Sequence, residues 1–262
     1  SLELASRSRF VRLPMNLNYL ISSLIYRIVS ESSSEYAERL HDQGYAIKGK
    51  AFKLFTFSPL RPQNGRRWQP NNDGTMSVES SKLYLTLSSS LGDFVEHLVV
   101  GLLSSPSVHL DREVFRVLSV KQLDEPAFSE RMSFIMLSPL VCSVQHEGSP
   151  YPTYLFPGDP DFNGILLENL CRKYELVHKK PFPKPEKFSF QISPSYAEQS
   201  GRKLTKLITL KEGRDDETKI KGTFAPFEMD APEELMQIGY ECGFGQKNSQ
   251  GFGMVKVASK GA

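Results

Sequence analysis

The chain has 262 residues, of which 39% are hydrophobic and 24% charged, and a formal net charge of +2. This length suits two modest domains, each with a core of its own, and the composition excludes fibrous and disordered classes. A near-neutral balance also excludes a uniformly basic nucleic-acid binder, so any contact with a phosphate backbone has to come from local clusters.

Cys142, Cys171 and Cys242 are far apart and include no C-x-x-C pair, which points to a reducing, cytoplasmic setting and away from structural zinc. No apolar run reaches the ~18 residues of a membrane span, and the start shows no signal-peptide h-region. The abrupt beginning at Ser1-Leu2-Glu3-Leu4 leads us to expect a few native residues upstream. Basic residues gather at Arg7, Arg9 and Arg12, at Arg61, Arg66 and Arg67, at Lys179, Lys180, Lys184 and Lys187, and at Arg202, Lys203 and Lys206. Such clusters suit either a phosphate backbone or solvated loops.

In chain order, Leu2 to Leu4 reads as a short strand and Pro14, Asn16 and Asn18 as a helix entry. Ile21, Leu24, Ile25 and Ile28 follow at the spacing of an amphipathic helix. A second short helix is expected from Glu35 to about Asp42, with Ser32 and Glu35 at capping-box spacing and Gly44 as its stop. Phe52 to Ser58 reads as a strand, the Asn71-Asn72-Asp73-Gly74 segment as a turn, and Lys82 to Ser88 as another strand. Leu91, Phe94, Val95, Leu98 and Leu102 form a further helical stripe, and Val114 to Leu123 a closing strand. The order is βα, ββ, αβ, that of a ferredoxin-like domain.

Lys121 to Arg131 reads as a linker, and the cycle then repeats. Ser133 to Leu140 is strand-like, Asp159-Pro160 opens a helix with Phe162, Leu166, Leu170 and Tyr174, and strands are expected at Lys187 to Ile192 and Lys203 to Lys211. Lys219 to Ala225 offers a further pairing partner. A helix from about Ala231 to Ile238 leads through a glycine-rich loop into Met254 to Val257. The fold class is therefore α+β, two tandem ferredoxin-like domains, divided as 1–123 and 124–262.

Two Gly-Phe-Gly triplets, at residues 243–245 and 251–253, bracket five polar residues. Gly243, Gly245, Gly251 and Gly253 permit close backbone approach, Phe244 and Phe252 can anchor the loop, and Lys247, Asn248 and Ser249 offer donors for phosphate oxygens. A tight turn before a last strand is the structural alternative. The loop lacks the Lys-Ser/Thr pair of a nucleotide P-loop, which disfavours nucleotide hydrolysis.

Tyr26 falls opposite the apolar stripe of its helix, on one face with Tyr19, Ser22, Ser23 and Ser30. His41 lies in the last turn of the second helix, where the helix dipole favours its protonated form. Lys53 alternates onto the face of Phe55 and Phe57, with Lys48 and Lys50 as nearby alternatives. Each has an ordinary surface role as its competing explanation. Together a tyrosine, a histidine and a lysine can cleave RNA without a metal, because the substrate's 2′-hydroxyl is the nucleophile. Trp68, Tyr84, Phe188 and Phe190 are candidate stacking platforms or core residues.

Leu13-Pro14, Asn18-Tyr19, Leu24-Ile25-Tyr26, Leu40-His41, the run from Gly49 to Ser58 and the terminal Gly-Phe-Gly-x5-Gly-Phe-Gly loop resemble the CRISPR-associated endoribonuclease family Cas6. The resemblance extends from Leu2 to Val257. It implies an enzyme without cofactor that cuts precursor CRISPR RNA within its repeats, leaving 5′-hydroxyl and 2′,3′-cyclic phosphate ends. It places the catalytic tyrosine on Tyr26, the histidine on His41 and the lysine on Lys53, with the general base either Tyr26 or His41. It also implies that the glycine-rich loop helps shape the RNA path, to which Arg202 and Lys203 of the basic clusters are further candidate contacts. The alternative is a non-catalytic repeat-RNA binder. Homodimerisation and attachment to an interference complex are both compatible with the mild charge.

Overall fold

The structure is a computed structural model that describes residues 1–199 and 203–258. Strand Leu2–Ser6 is the middle of the first sheet, because its inward residues Leu2 and Leu4 are almost wholly buried. It pairs antiparallel with Glu113–Val120 on one side and Lys82–Leu85 on the other, and Arg61–Pro62 continues the sheet beyond Lys82–Leu85. Taking the four in chain order, the spatial order is 4-1-3-2, the ferredoxin-like arrangement, extended at one edge by Ser107–Leu110.

Helices α1 (Asn18–Ser32), α2 (Ser34–Asp42) and α3 (Gly92–Ser104) belong to this domain. The Ile21, Leu24, Ile25 and Ile28 stripe of α1 is buried as its spacing predicts. The cap of α2 is Ser33, whose side chain accepts from the Tyr36 N–H at 3.2 Å, whereas Ser32 ends α1 and meets His97 Nδ1 at 3.0 Å. The boundary shifts by one residue because the chain turns extended at Ser33 (φ −154°, ψ 108°).

Phe52 to Ser58 is not one strand. Leu54 has φ 55°, a left-handed kink that separates Lys50–Phe52 from Phe55–Phe57 and cancels the alternation expected between Lys53 and Phe55. Lys50–Phe52 instead folds back on Tyr45–Ile47 as a hairpin whose tip is Lys48-Gly49, both at positive φ. A small sheet of Phe10–Pro14, Thr75–Glu79 and Gln69–Pro70 was not legible, and it gathers the basic segments into ion pairs such as Arg9–Glu79 and Arg66–Glu79.

The second sheet repeats the plan. Arg131–Met136 lies between Phe227–Asp230 and Val255–Val257, and Ser189–Ile192 pairs with Phe227–Asp230, again 4-1-3-2. Helix α4 (Phe162–His178), the one-turn α5 (Pro194–Ala197) and α6 (Glu233–Cys242) complete this half. Thr205–Leu210 and Thr218–Thr223 pair with each other as a separate hairpin, so the main-sheet strand is Phe227–Asp230, set too tightly between Pro226 and Pro232 for its alternation to be read. Phe190 is buried against Phe162 and Phe227, which makes it a core residue and not a platform. Trp68 packs partly buried on the first core with its Nε1–H donated to the Leu60 carbonyl.

Among the described residues no helix is long and apolar enough to cross a membrane. The α1–α3 packing is set by Gly101, where an added Cβ would sit 1.9 Å from the Ile28 carbonyl oxygen. Backbone cannot yield there as a side-chain tip can. Gly101→Ala is therefore expected to destabilise the protein by at least about 1–3 kcal/mol, read as a lower urea midpoint; an unchanged midpoint would show that the helices separate freely.

Candidate active site

The polar face of α1 does not face solvent along its whole length. Asn18, at the start of the helix, donates from Nδ2 to the carbonyls of Gln250 (2.8 Å) and Gly251 (3.1 Å), and Ser22 Oγ donates to the Ser249 carbonyl at 2.8 Å. Thr56 Oγ1 donates to the Phe252 carbonyl at 3.0 Å. Three side chains of the first domain thus dock the glycine-rich loop of the second. The contact is close because Gly251 (φ 81°) leaves no room for a Cβ, which would lie 2.6 Å from both Asn18 Nδ2 and the Phe57 ring.

Tyr26 stands one turn beyond Ser22. Its ring meets that of His41 edge-on, centroids 5.0 Å apart, and that of Phe55 at 5.8 Å. Burial pushes the Tyr26 pKa up to about 12, and a side-chain hydrogen bond with Ser249 acts in the opposite direction. His41 is largely exposed at the end of α2, and its Nδ1 lies 2.7 Å from Asp42 Oδ1. Lys53 Nζ donates to the His41 carbonyl at 2.5 Å, a contact that places Lys53 beside the histidine, while Lys48 is exposed at the hairpin tip. Desolvation lowers the Lys53 pKa, and the Asp42 carboxylate opposes this.

Two features deliver Lys53 to that point. Gly44, at φ 60°, is covered by Lys53, and a Cβ there would lie 2.9 Å from Lys53 Cδ and 2.6 Å from the Phe52 carbonyl oxygen. The kinked Leu54 inserts its side chain between domains, against Leu176 of α4 and Cys242 of α6. The structure therefore brings Tyr26, His41 and Lys53 together, with Ser249 of the other domain touching the group.

The glycine-rich loop is built differently from expectation. Gly243, Gly245, Gly251 and Gly253 are buried, and at Gly253 a Cβ would fall 1.9 Å from the Phe244 carbonyl oxygen, so close packing within the protein, and not an open phosphate cradle, accounts for this glycine. Asn248 is also buried: its Oδ1 accepts from Lys173 Nζ, and its Nδ2 donates to the Phe244 and Phe252 carbonyls. No donor remains on that amide for RNA, a correction to its reading as a phosphate ligand. Lys247 is exposed, as is Lys203, and Ser249 is half-buried. Arg202 lies outside the described residues. Asn18, Ser22, Leu54 and Lys173 were not singled out from the sequence. Lys173 carried a signal, a charged residue three places after Leu170 on the apolar stripe of α4.

Two tandem ferredoxin-like domains, with the glycine-rich loop of the second seated against the first, are the arrangement shared with Cas6 and RAMP proteins of solved structure. A solved structure described as a RAMP protein binding different RNA substrates superposes with a TM-score of 0.78 at 25% identity, covering 98% of each chain. Another, described as CRISPR associated protein Cas6, gives 0.72 at 28% identity with the same coverage. The family model for CRISPR-associated protein Cas6, N-terminal, matches residues 12–121, and that for CRISPR associated protein Cas6, C-terminal, matches residues 123–257. The chain is 30% identical to CRISPR-associated endoribonuclease Cas6 of Pyrococcus furiosus over 96% of its own length and 86% of that protein. It is 29% identical to CRISPR-associated endoribonuclease Cas6 1 of Methanocaldococcus jannaschii, over 94% and 87% respectively. The chain belongs to the Cas6 family.

A raised tyrosine pKa has a consequence for stability. The contribution of buried, neutral Tyr26 is complete below the unfolded-state value of about 10 and is lost as pH rises through about 12, because the unfolded state releases its proton first. Wild type should therefore lose stability relative to Tyr26→Phe across that window, measured as urea midpoints. A constant difference would mean that Tyr26 is not desolvated.

Proposed function

We propose that this protein is a metal-independent endoribonuclease that cuts precursor CRISPR RNA within its repeats. The observation that carries the reading is the contact of Tyr26 with His41 at 5.0 Å, with Lys53 bonded to His41, at the junction of two domains. In the reaction the 2′-oxygen forms a bond to the adjacent phosphorus as the bond from phosphorus to the 5′-oxygen breaks. One proton leaves the 2′-hydroxyl and one reaches the 5′-oxygen, giving 2′,3′-cyclic phosphate and 5′-hydroxyl ends.

Burial keeps Tyr26 protonated at neutral pH, which suits it to donate and not to abstract a proton. That assigns the base to His41. With Nδ1–H given to Asp42, its Nε2 lone pair is free to take the 2′-hydroxyl proton. Lys53 uses one of its hydrogens on the His41 carbonyl and keeps two for the non-bridging oxygens, where negative charge grows. Exposed Lys247 and Lys203 supply contacts to the phosphate backbone, and the buried glycines shape the path from behind. In this reading residues 1–123 provide the catalytic groups and 124–262 the loop that closes the site.

The test is single-turnover cleavage of end-labelled repeat RNA in excess EDTA, beside RNA carrying a 2′-deoxy sugar 5′ of the cut. One cut that disappears with the deoxy substrate is expected, and a strict requirement for added magnesium would contradict the proposal. His41→Ala should slow cleavage roughly 10²- to 10⁴-fold with RNA affinity held within a few-fold. Lys53→Ala should slow it more than Lys48→Ala or Lys50→Ala. Tight binding of every cognate repeat without cleavage would make the protein a non-catalytic repeat-RNA binder.

A further inference from the structure

Among the described residues, Lys173 is the one charged side chain that is fully buried, and the proposed chemistry does not use it. It projects from the middle of α4 into the turn that follows α6. There its Nζ donates to the carbonyls of Gly243 (2.5 Å) and Gly245 (2.7 Å) and to Asn248 Oδ1 (2.7 Å). Three acceptors match the three hydrogens of an ammonium, whereas a neutral amine would leave one oxygen without a partner. Burial pulls the Lys173 pKa down to about 7, with the neighbouring Cys242 and Cys142 acting against that pull.

The bonds of this ammonium run toward the active site. Asn248, held by Lys173 through Oδ1, ties the two Gly-Phe-Gly arms together through Nδ2. The next residue is Ser249, whose carbonyl accepts from Ser22 at 2.8 Å, one helical turn before Tyr26, and whose side chain lies beside the tyrosine. On the same helix, three residues beyond Lys173, Leu176 packs on Leu54 beside Lys53. Helix α4 thus touches both the tyrosine side and the lysine side of the site without reaching either catalytic group.

We infer that Lys173 is a positioning residue for the cleavage reaction, fixing the glycine-rich loop from the second domain so that Ser249 is presented to Tyr26. The inference rests on the endoribonuclease reading. Lys173→Met removes the donor and leaves three buried oxygens unsatisfied, so the loop relaxes and the Ser249–Tyr26 contact is lost. Loss of this support is expected to slow single-turnover cleavage by roughly ten- to hundred-fold. RNA affinity stays within a few-fold, because Lys173 is buried and meets no phosphate.

The experiment measures single-turnover rates and RNA Kd for wild type, Lys173→Met, Ser249→Ala and the double variant, with urea midpoints for each. The expected result is a fall in rate without a matching fall in affinity, and non-additivity: in the Ser249→Ala background, Lys173→Met costs little more. Should Lys173→Met fail to fold, Asn248→Ala replaces it, since it removes a single link of the same chain and carries the same expectation. Folded Lys173→Met or Asn248→Ala protein that cleaves at the wild-type rate overturns the inference, as do rate losses that simply multiply with that of Ser249→Ala. If wild type cleaves and His41→Ala does not, the endoribonuclease reading stands whatever Lys173 does. If wild type cleaves no cognate repeat, that reading falls and the role of Lys173 falls with it.

Discussion

An ammonium buried among three oxygens fixes the glycine-rich loop that meets the first domain. An unpaired charge at the position of Lys173 would be strongly destabilising, so the turn after α6 has to bring the Gly243 and Gly245 carbonyls and the Asn248 amide to it. Once those oxygens are fixed, little freedom is left to residues 243–253. The loop then presents its own carbonyls outward to Asn18, Ser22 and Thr56 of the first domain. The shape of the loop and its polar contacts with the first domain share this constraint, while Leu54, Leu176 and Cys242 supply a separate apolar contact.

The glycines belong to the same logic. Their lack of a side chain is needed where backbone meets backbone, as at Gly245, where a Cβ would lie 2.4 Å from the Val141 carbonyl oxygen. A loop so tightly enclosed leaves its backbone few alternative placements, which suits the proposed metal-free chemistry, where donors and acceptors have to stay in register with a phosphate. The exposed members of the site, His41 and Lys247, lie on the surface of this frame.

The proposed catalytic group is divided between opposing environments. Tyr26 is packed against Phe55 and loses solvation, which holds its proton, while His41 keeps its ring in solvent with Asp42 on one nitrogen. Lys53 joins them only because the chain breaks at Leu54. A regular strand would have sent its side chain along the face of Phe55 instead.

Much of the fold was legible because amphipathic spacing survives any tertiary context: the α1 stripe, the α4 stripe, the alternation of Leu2 and Leu4, and the repeated order of elements determined two ferredoxin-like halves. The types of residue at 26, 41 and 53 and their sequence neighbours likewise determined the candidate catalytic set. Contacts between residues far apart in the chain were not legible. Leu54 gives no local sign of a left-handed turn, since its conformation is held by packing on Leu176 and Cys242, more than a hundred residues away. Asn248 reads as a free donor until Lys173, Phe244 and Phe252 surround it, and the polar face of α1 reads as solvated until the loop lands on it. Local periodicity is a property of the chain alone; burial and partnership are properties of the folded whole, and they alone decided which polar groups hold the site together and which remain available for chemistry.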